Sequence, residues 1–151
     1  MVILLLSCQM ATAQKIDYLT VRRDIIDFSC VNITPEYIKS TEEKLAKVNP
    51  DSIAANKDIY FFDKSNLYYL KYGTGGNKLP DLLQSKAFVI EAIKINPNIF
   101  NYYWALSMNY SHLKNCDSVK VNLNKYLELF PKEEGLAVDS VQVNRLKAKC
   151  P

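Results

Sequence analysis

Pro97 and Pro131 stand 34 residues apart, and each closes an amphipathic segment: IEAIKINP over 90–97 and NKYLELFP over 124–131. Proline has no N–H to continue a helix, and it pushes the residue before it out of helical geometry. A chain punctuated in this way is cut into helices that turn back on one another. From Ile16 onward the apolar residues recur at three- and four-residue intervals, the period of a helix with one buried face. Four glycines and six prolines in 151 residues are too few turn formers for a β-rich fold, and no alternating strand pattern stands out. The expectation is an all-α chain of one domain, large enough to bury a core.

Seven helices follow from the pattern. Ile16, Leu19, Ile25, Ile26 and Phe28 mark the first, over 16–29. Thr34-Pro35-Glu36 reads as N-cap, first-turn proline and first-turn acid of the second, which carries Tyr37, Ile38, Leu45 and Val48 and stops at Asn49-Pro50. The third covers 58–72 and runs into GTGGNKLP, which holds three of the four glycines. Pro80-Asp81 starts the fourth, and the fifth covers 99–113. Asp117 or Ser118 caps the sixth, which ends before Pro131, and the seventh runs from about Glu134 to Lys149.

The stretch from Phe100 to Pro131 resembles the tetratricopeptide-repeat family, whose unit is a helix-turn-helix of 34 residues. Tyr103 stands at the large aromatic position, Leu106 at the next apolar one, Ser107 at the small one and Tyr110 at the following aromatic one. Val119, Leu123 and Tyr126 fill the second-helix positions, and Pro131 the terminal proline, several by class and not identity. In the preceding unit Phe62 aligns with Tyr103, Tyr69 with Tyr110, and Gly73 with the turn, leaving TGGNKLP as an insertion of seven residues. The echo between NLYYLKYG (66–73) and FNYYWALS (100–107) is coincidental, because its register would place Gly73, Gly75 and Gly76 inside a helix. The resemblance implies a short solenoid with units over about 16–50, 58–97 and 99–131 and a capping helix over 134–149.

The N-terminal MVILLLSCQMATAQ is uncharged, mostly apolar and too short to span a bilayer; it ends in the small-x-small pattern Ala11-Thr12-Ala13. It reads as a signal peptide over 1–13, although no Lys or Arg precedes Lys15. Leu5-Leu6-Ser7-Cys8 gives the alternative of a lipoprotein anchored through Cys8. Either reading places the product outside the cytoplasm, periplasmic or secreted, and at a membrane only if lipidated; an uncleaved segment is the third alternative. Removing 1–13 leaves Cys30, Cys116 and Cys150, an odd number without CxxC spacing, so neither a complete disulfide framework nor a cysteine metal site is expected. In a stack of helical pairs Cys116 sits at one turn and Cys150 ends the next unit's first helix on the same edge; the two form a candidate disulfide, with Cys30 unpaired.

The composition excludes several classes. The net charge of +3 is scattered, with no basic cluster longer than Arg22-Arg23, which argues against nucleic acid. YGTGGNK lacks the spacing, the following Ser or Thr and the preceding strand of a phosphate loop, so no nucleotide is expected. Glu42-Glu43, Glu133-Glu134 and Asp24 with Asp27 read as solvated charge rather than acid pairs of a hydrolase, and His112 beside Cys116 has no orienting third group. No enzyme, cofactor or metal is expected.

Asn101, Trp104, Met108 and His112 remain as a candidate binding stripe along the fifth helix, the last three at four-residue spacing; the alternative is that Trp104 is a packing residue and His112 a helix-end cation near the dipole. The family resemblance implies that first-helix residues line a concave groove for a partner peptide. The family's carboxylate-clamp pattern is missing, since Asp63, Leu67 and Ala105 stand at its positions. Tyr60, Tyr68, Tyr69, Tyr72, Tyr102, Tyr103 and Tyr110 are expected mostly in the core. The functional expectation is a non-catalytic protein- or peptide-binding scaffold of the bacterial envelope, and the alternative is an envelope glycan-binding module that uses exposed tyrosines.

Overall fold

A computed structural model describes residues 16–26, 33–131 and 138–150 of the chain. Within them the secondary structure is helical apart from one short pairing: α1 (Tyr18–Ile25), α2 (Pro35–Ala46), α3 (Lys57–Thr74), α4 (Leu79–Ile95), α5 (Phe100–His112), α6 (Cys116–Leu129) and α7 (Ser140–Lys149). A strand β1 (Ile16–Asp17) pairs in parallel with β2 (Ile53–Ala55), which follows a 3₁₀ turn at Pro50–Ser52. The all-helical expectation holds, with this small parallel ladder as an addition that a period-based reading cannot register.

Local chemistry sets the boundaries. Thr34 caps α2 by accepting from Tyr37 N–H, with Pro35 in the first turn and Glu36 beside the positive end of the helix dipole. α1 is shorter than the expected 16–29: Ile16 and Asp17 are extended, the Asp17 side chain caps α1 through Leu19 N–H, and Ile26 is already non-helical. Phe28, Cys30, Glu133, Glu134 and the whole 1–13 segment lie outside the described residues. α3 continues through Gly73 and Thr74, so the connection to α4 is only Gly75–Lys78, not an insertion of seven residues. Gly76, at φ +82°, makes the turn that a side chain would strain. Asn115, not Asp117 or Ser118, caps α6: Lys114 turns left-handed at φ 56°, and the Asn115 side chain accepts from Ser118 N–H. Asp139 caps α7 by accepting from Gln142 N–H, so the last helix starts at Ser140 rather than near Glu134.

Consecutive helices pack against one another, α3 on α4 and α5 on α6 most extensively, and α4 also lies on α5. Alternate helices touch as well: α1 with α3, α3 with α5, and α5 with α7. The core runs along the stack in three parts. Tyr18, Ile25, Ile38, Leu45, Ile53, Tyr60 and Leu67 fill the first, and Val89, Ala92, Tyr102 and Leu106 the middle. Val119, Leu123, Tyr126, Val143, Leu146 and Cys150 close the last. Each fully buried Leu or Val removes its side chain from water for about 1.5–3 kcal/mol, which favours the amphipathic helices over an open chain.

Of the seven tyrosines expected in the core, only Tyr60 and Tyr102 are fully buried; Tyr68, Tyr69, Tyr72, Tyr103 and Tyr110 are half-buried. Tyr18 and Tyr126 complete the buried set. Two buried aspartates of α3 explain why tyrosine suits this interior. Asp63 accepts from the Tyr18 hydroxyl of α1 at 3.0 Å, and Asp58 accepts from the Tyr102 hydroxyl of α5 at 2.9 Å and from Asn96 Nδ2 at 3.1 Å. Burial and the adjacent carboxylates push both phenols well above their usual range, so each remains a donor at any physiological pH.

Candidate functional site

α5 carries the expected stripe, and the structure gives its members different surroundings. Trp104 is half-buried and its ring lies 5.2 Å from that of Tyr126 on α6; Met108 packs beside it. Asn101 and His112, at the two ends of α5, are exposed. Spacing by four residues on a helix puts these side chains on one face, and α3 and α7 flank that face.

Two adjoining pockets share this stripe. The first, about 250 Å³, lies between α3, α4 and α5 and is lined by Phe62, Asn66, Tyr69, Asn101, Trp104 and Met108, with Ser65, Ser85 and Asn109 at its buried end. The second, about 240 Å³, lies between α5 and α7 and is lined by Trp104 and Met108 again, now with Gln142, Arg145, Leu146 and Lys149. Trp104 and Met108 therefore form the ridge between two hollows on the same side of the stack. Asn66 also lines a third pocket, between α1, α2 and α3, with Arg22 and Asp63.

The chemistry changes along this row. No charged residue lines the first pocket, whereas the second has two cations and no acid. Asn109, 1% exposed, donates through Nδ2 to the Ala105 carbonyl at 2.9 Å, but its Oδ1 has no donor. Ser65 and Ser85, 1% and 0% exposed, share one hydrogen bond of 3.3 Å between their hydroxyls. A buried polar atom without a partner is uncommon enough to call for an explanation.

His112 does not enter the first pocket. Its Nε2 lies 2.9 Å from the Tyr69 hydroxyl, and the Tyr72 ring stands edge-on at 5.2 Å, so His112 extends the site along α3 through Tyr69, which does line the pocket. Although the residue as a whole is exposed, partial burial of its ring beside Tyr69 and Tyr72 holds the imidazole below its ordinary pKa, and the Lys149 ammonium acts in the same direction. Burial raises the Tyr69 phenol, with Tyr72 adding to it.

Cys116 and Cys150 form a disulfide, with Cα atoms 5.0 Å apart and a sequence separation of 34. The bond ties the last residue after α7 to the first turn of α6, and so fixes the cationic wall of the second pocket. Among the described residues no group of three His, Cys, Asp or Glu is placed to hold a metal, and no helix is long and apolar enough to cross a membrane. Glu42 is not paired with Glu43: it accepts from Lys71 at 2.9 Å and from the Tyr68 hydroxyl at 3.1 Å.

Of the stripe read from the sequence, Asn101, Trp104 and Met108 line the first pocket and His112 does not. Ser65, Ser85 and Asn109 at its buried end carry no sequence signal, because they are small or neutral polar residues buried only by the helices that cross them. No known protein-family model matches the chain, and neither a curated protein nor a solved structure matches it.

Proposed function

We propose that this chain is a non-catalytic scaffold of the bacterial cell envelope that binds an extended peptide along the face made by α1, α3, α5 and α7, in a tetratricopeptide-like stack of helical hairpins. The observation that carries the reading is the ridge of Trp104 and Met108, which lines two pockets opening side by side on that face. A row of hollows separated by one apolar ridge suits a chain whose side chains on one side drop into neighbouring hollows. Pockets of this size hold a side chain each and are small for a metabolite. The Cys116–Cys150 bond fits an oxidising compartment, in keeping with export directed by a leader over 1–13, or anchoring through Cys8.

Trp104 is the chain's only tryptophan, so its emission reports directly on the site. Titrating the full chain with peptide pools selected by phage display is expected to shift that emission, and Trp104→Ala is expected to abolish retention of the same peptides. Peptides held equally by the Trp104→Ala chain would remove the groove as the binding site.

A second reading, binding of an envelope glycan, is favoured by one feature: the first pocket is neutral, with the Phe62, Tyr69 and Trp104 rings beside Asn66 and Asn101. Aromatic faces flanked by amides also suit a sugar ring. Retention on polysaccharide or peptidoglycan resin, competed by free sugar and not by peptides, is the result that would select it.

A further inference from the structure

Resting on the peptide-binding reading, we propose that the pocket between α3, α4 and α5 is a selector for a primary amide side chain, glutamine or asparagine, and that the pocket between α5 and α7 takes an acidic residue of the same peptide about three positions away. The amide half is argued from hydrogen-bond inventory. Asn109 Oδ1, in a side chain that is 1% exposed and lines the pocket, lacks a donor. Its Nδ2 is already committed to the Ala105 carbonyl, which fixes the amide's orientation and leaves an acceptor, not a donor, unsatisfied.

The Ser65–Ser85 pair supplies the opposite capability. One hydroxyl hydrogen serves the bond between the two serines, so the second is available to donate. The pocket therefore offers one acceptor and one donor at its buried end, with aromatic walls and no charge. A primary amide matches this set: its N–H₂ donates to Asn109 Oδ1 and its carbonyl accepts from a serine hydroxyl. A carboxylate would leave Oδ1 unpartnered and set a negative charge against it, and an aliphatic side chain would leave both groups unmet.

The acidic half is argued from charge complementarity. Arg145 and Lys149 line the second pocket one helical turn apart, both exposed and neither within ion-pair distance of a described carboxylate. A pair of cations beside an apolar ridge attracts a carboxylate. The two pockets lie on either side of α5, so their centres are about one helix spacing apart, roughly 10 Å. A chain in the polyproline II conformation advances about 3.1 Å per residue with about three residues per turn, so residues about three apart span this distance on one side of the chain, which sets the separation between amide and acid.

The test uses the full chain and an array of short acetylated peptides, otherwise alanine and serine, with glutamine and glutamate fixed at increasing separations. Control peptides replace glutamine by leucine or glutamate by lysine, and binding is read by fluorescence anisotropy. The expected optimum is a separation of about three, with roughly tenfold weaker binding for the leucine peptide. Asn109→Leu is expected to equalise the glutamine and leucine peptides while keeping the preference for glutamate. The exposed double variant Arg145→Glu, Lys149→Glu is expected to invert the glutamate and lysine preference while keeping that for glutamine, and it reports even where Asn109→Leu fails to fold. Equal binding of glutamine and leucine peptides by the native chain, with loss in Trp104→Ala, would overturn the amide selector and leave the groove standing. No retention of any peptide, with retention on polysaccharide resin, would overturn both.

Discussion

Arg22 of α1 holds Asp63 of α3 in a two-point ion pair, Nε to Oδ2 at 2.6 Å and Nη2 to Oδ1 at 2.7 Å. The carboxylate is nearly sealed, with its side chain 3% exposed, while that of Arg22 is 28% exposed. Parallel N–H···O bonds to a planar guanidinium are among the strongest pairings a carboxylate makes. Because Asp63 also accepts from Tyr18, removing one partner does not leave it bare. Tyr18→Phe is expected to cost about 1 kcal/mol, the net worth of one hydrogen bond. Arg22→Ala is expected to cost more, about 2–3 kcal/mol, discounted from the fully buried case because the guanidinium meets water. Urea unfolding of the two variants checks the order; equal losses would mean that Arg22 contributes nothing beyond Tyr18.

Gly73 and Gly76 predict effects of opposite sign. Gly73 lies in the last turn of α3, and a Cβ there meets nothing within 4 Å. Gly73→Ala is expected to stabilise the fold by about 0.5 kcal/mol through the lower entropy of the unfolded chain. Gly76 sits at φ +82°, where a side chain strains the backbone, so Gly76→Ala is expected to destabilise by about 1 kcal/mol. Thermal melts of both variants decide the matter, and two shifts of the same sign would contradict this turn geometry.

The helices were legible in this sequence wherever one local signal had no competitor, as with Thr34-Pro35-Glu36 at the start of α2. They were misplaced where several capping residues crowd together. Asn115, Asp117 and Ser118 can each start a helix, and the left-handed Lys114 decides for Asn115. Ile16 and Asp17 were folded into α1 because a two-residue strand has no period of its own. Four-residue spacing on α5 groups Trp104 and Met108, which share a pocket, with His112, which does not line it. Asp58 and Asp63 did not stand out, because an acid on a helix is solvated by default and only the groups that face them in the fold, Tyr102 and Asn96 for Asp58 and Tyr18 and Arg22 for Asp63, mark these two as buried acceptors.

Cys116 and Cys150 close a loop of 34 residues around α6 and α7. By loss of chain entropy in the unfolded state such a loop contributes about 3–4 kcal/mol. α7 otherwise holds to the stack mainly through Val143 and Leu146. Reduction, or Cys150→Ser, is expected to lower the global stability by that order and to release α7 first. Amide hydrogen exchange should then show lost protection over residues 140–149, with α3 and α4 unchanged. Uniform loss across the chain would mean that α7 is integral to the core without the bond.

His112 gives the fold a dependence on pH whose direction can be worked out. Its imidazole is held below the ordinary value of 6.5, first by burial and then by the Lys149 ammonium. The unfolded chain therefore binds more protons than the folded one in the window below 6.5, and stability rises with pH through that window. The contribution is fully present above 6.5 and is lost as pH falls through the folded-state value. In the protonated ring Nε2 donates to the Tyr69 hydroxyl, so the contact survives protonation and burial and Lys149 carry the effect. His112 is the chain's only histidine, and its Cε1–H resonance titrates without ambiguity. A midpoint below 6.5 is expected, moving upward in Lys149→Gln; His112→Gln should flatten the melting temperature between neutral and mildly acidic buffer. A midpoint at or above 6.5 would mean that the ring is not packed between Tyr69 and Tyr72 in solution.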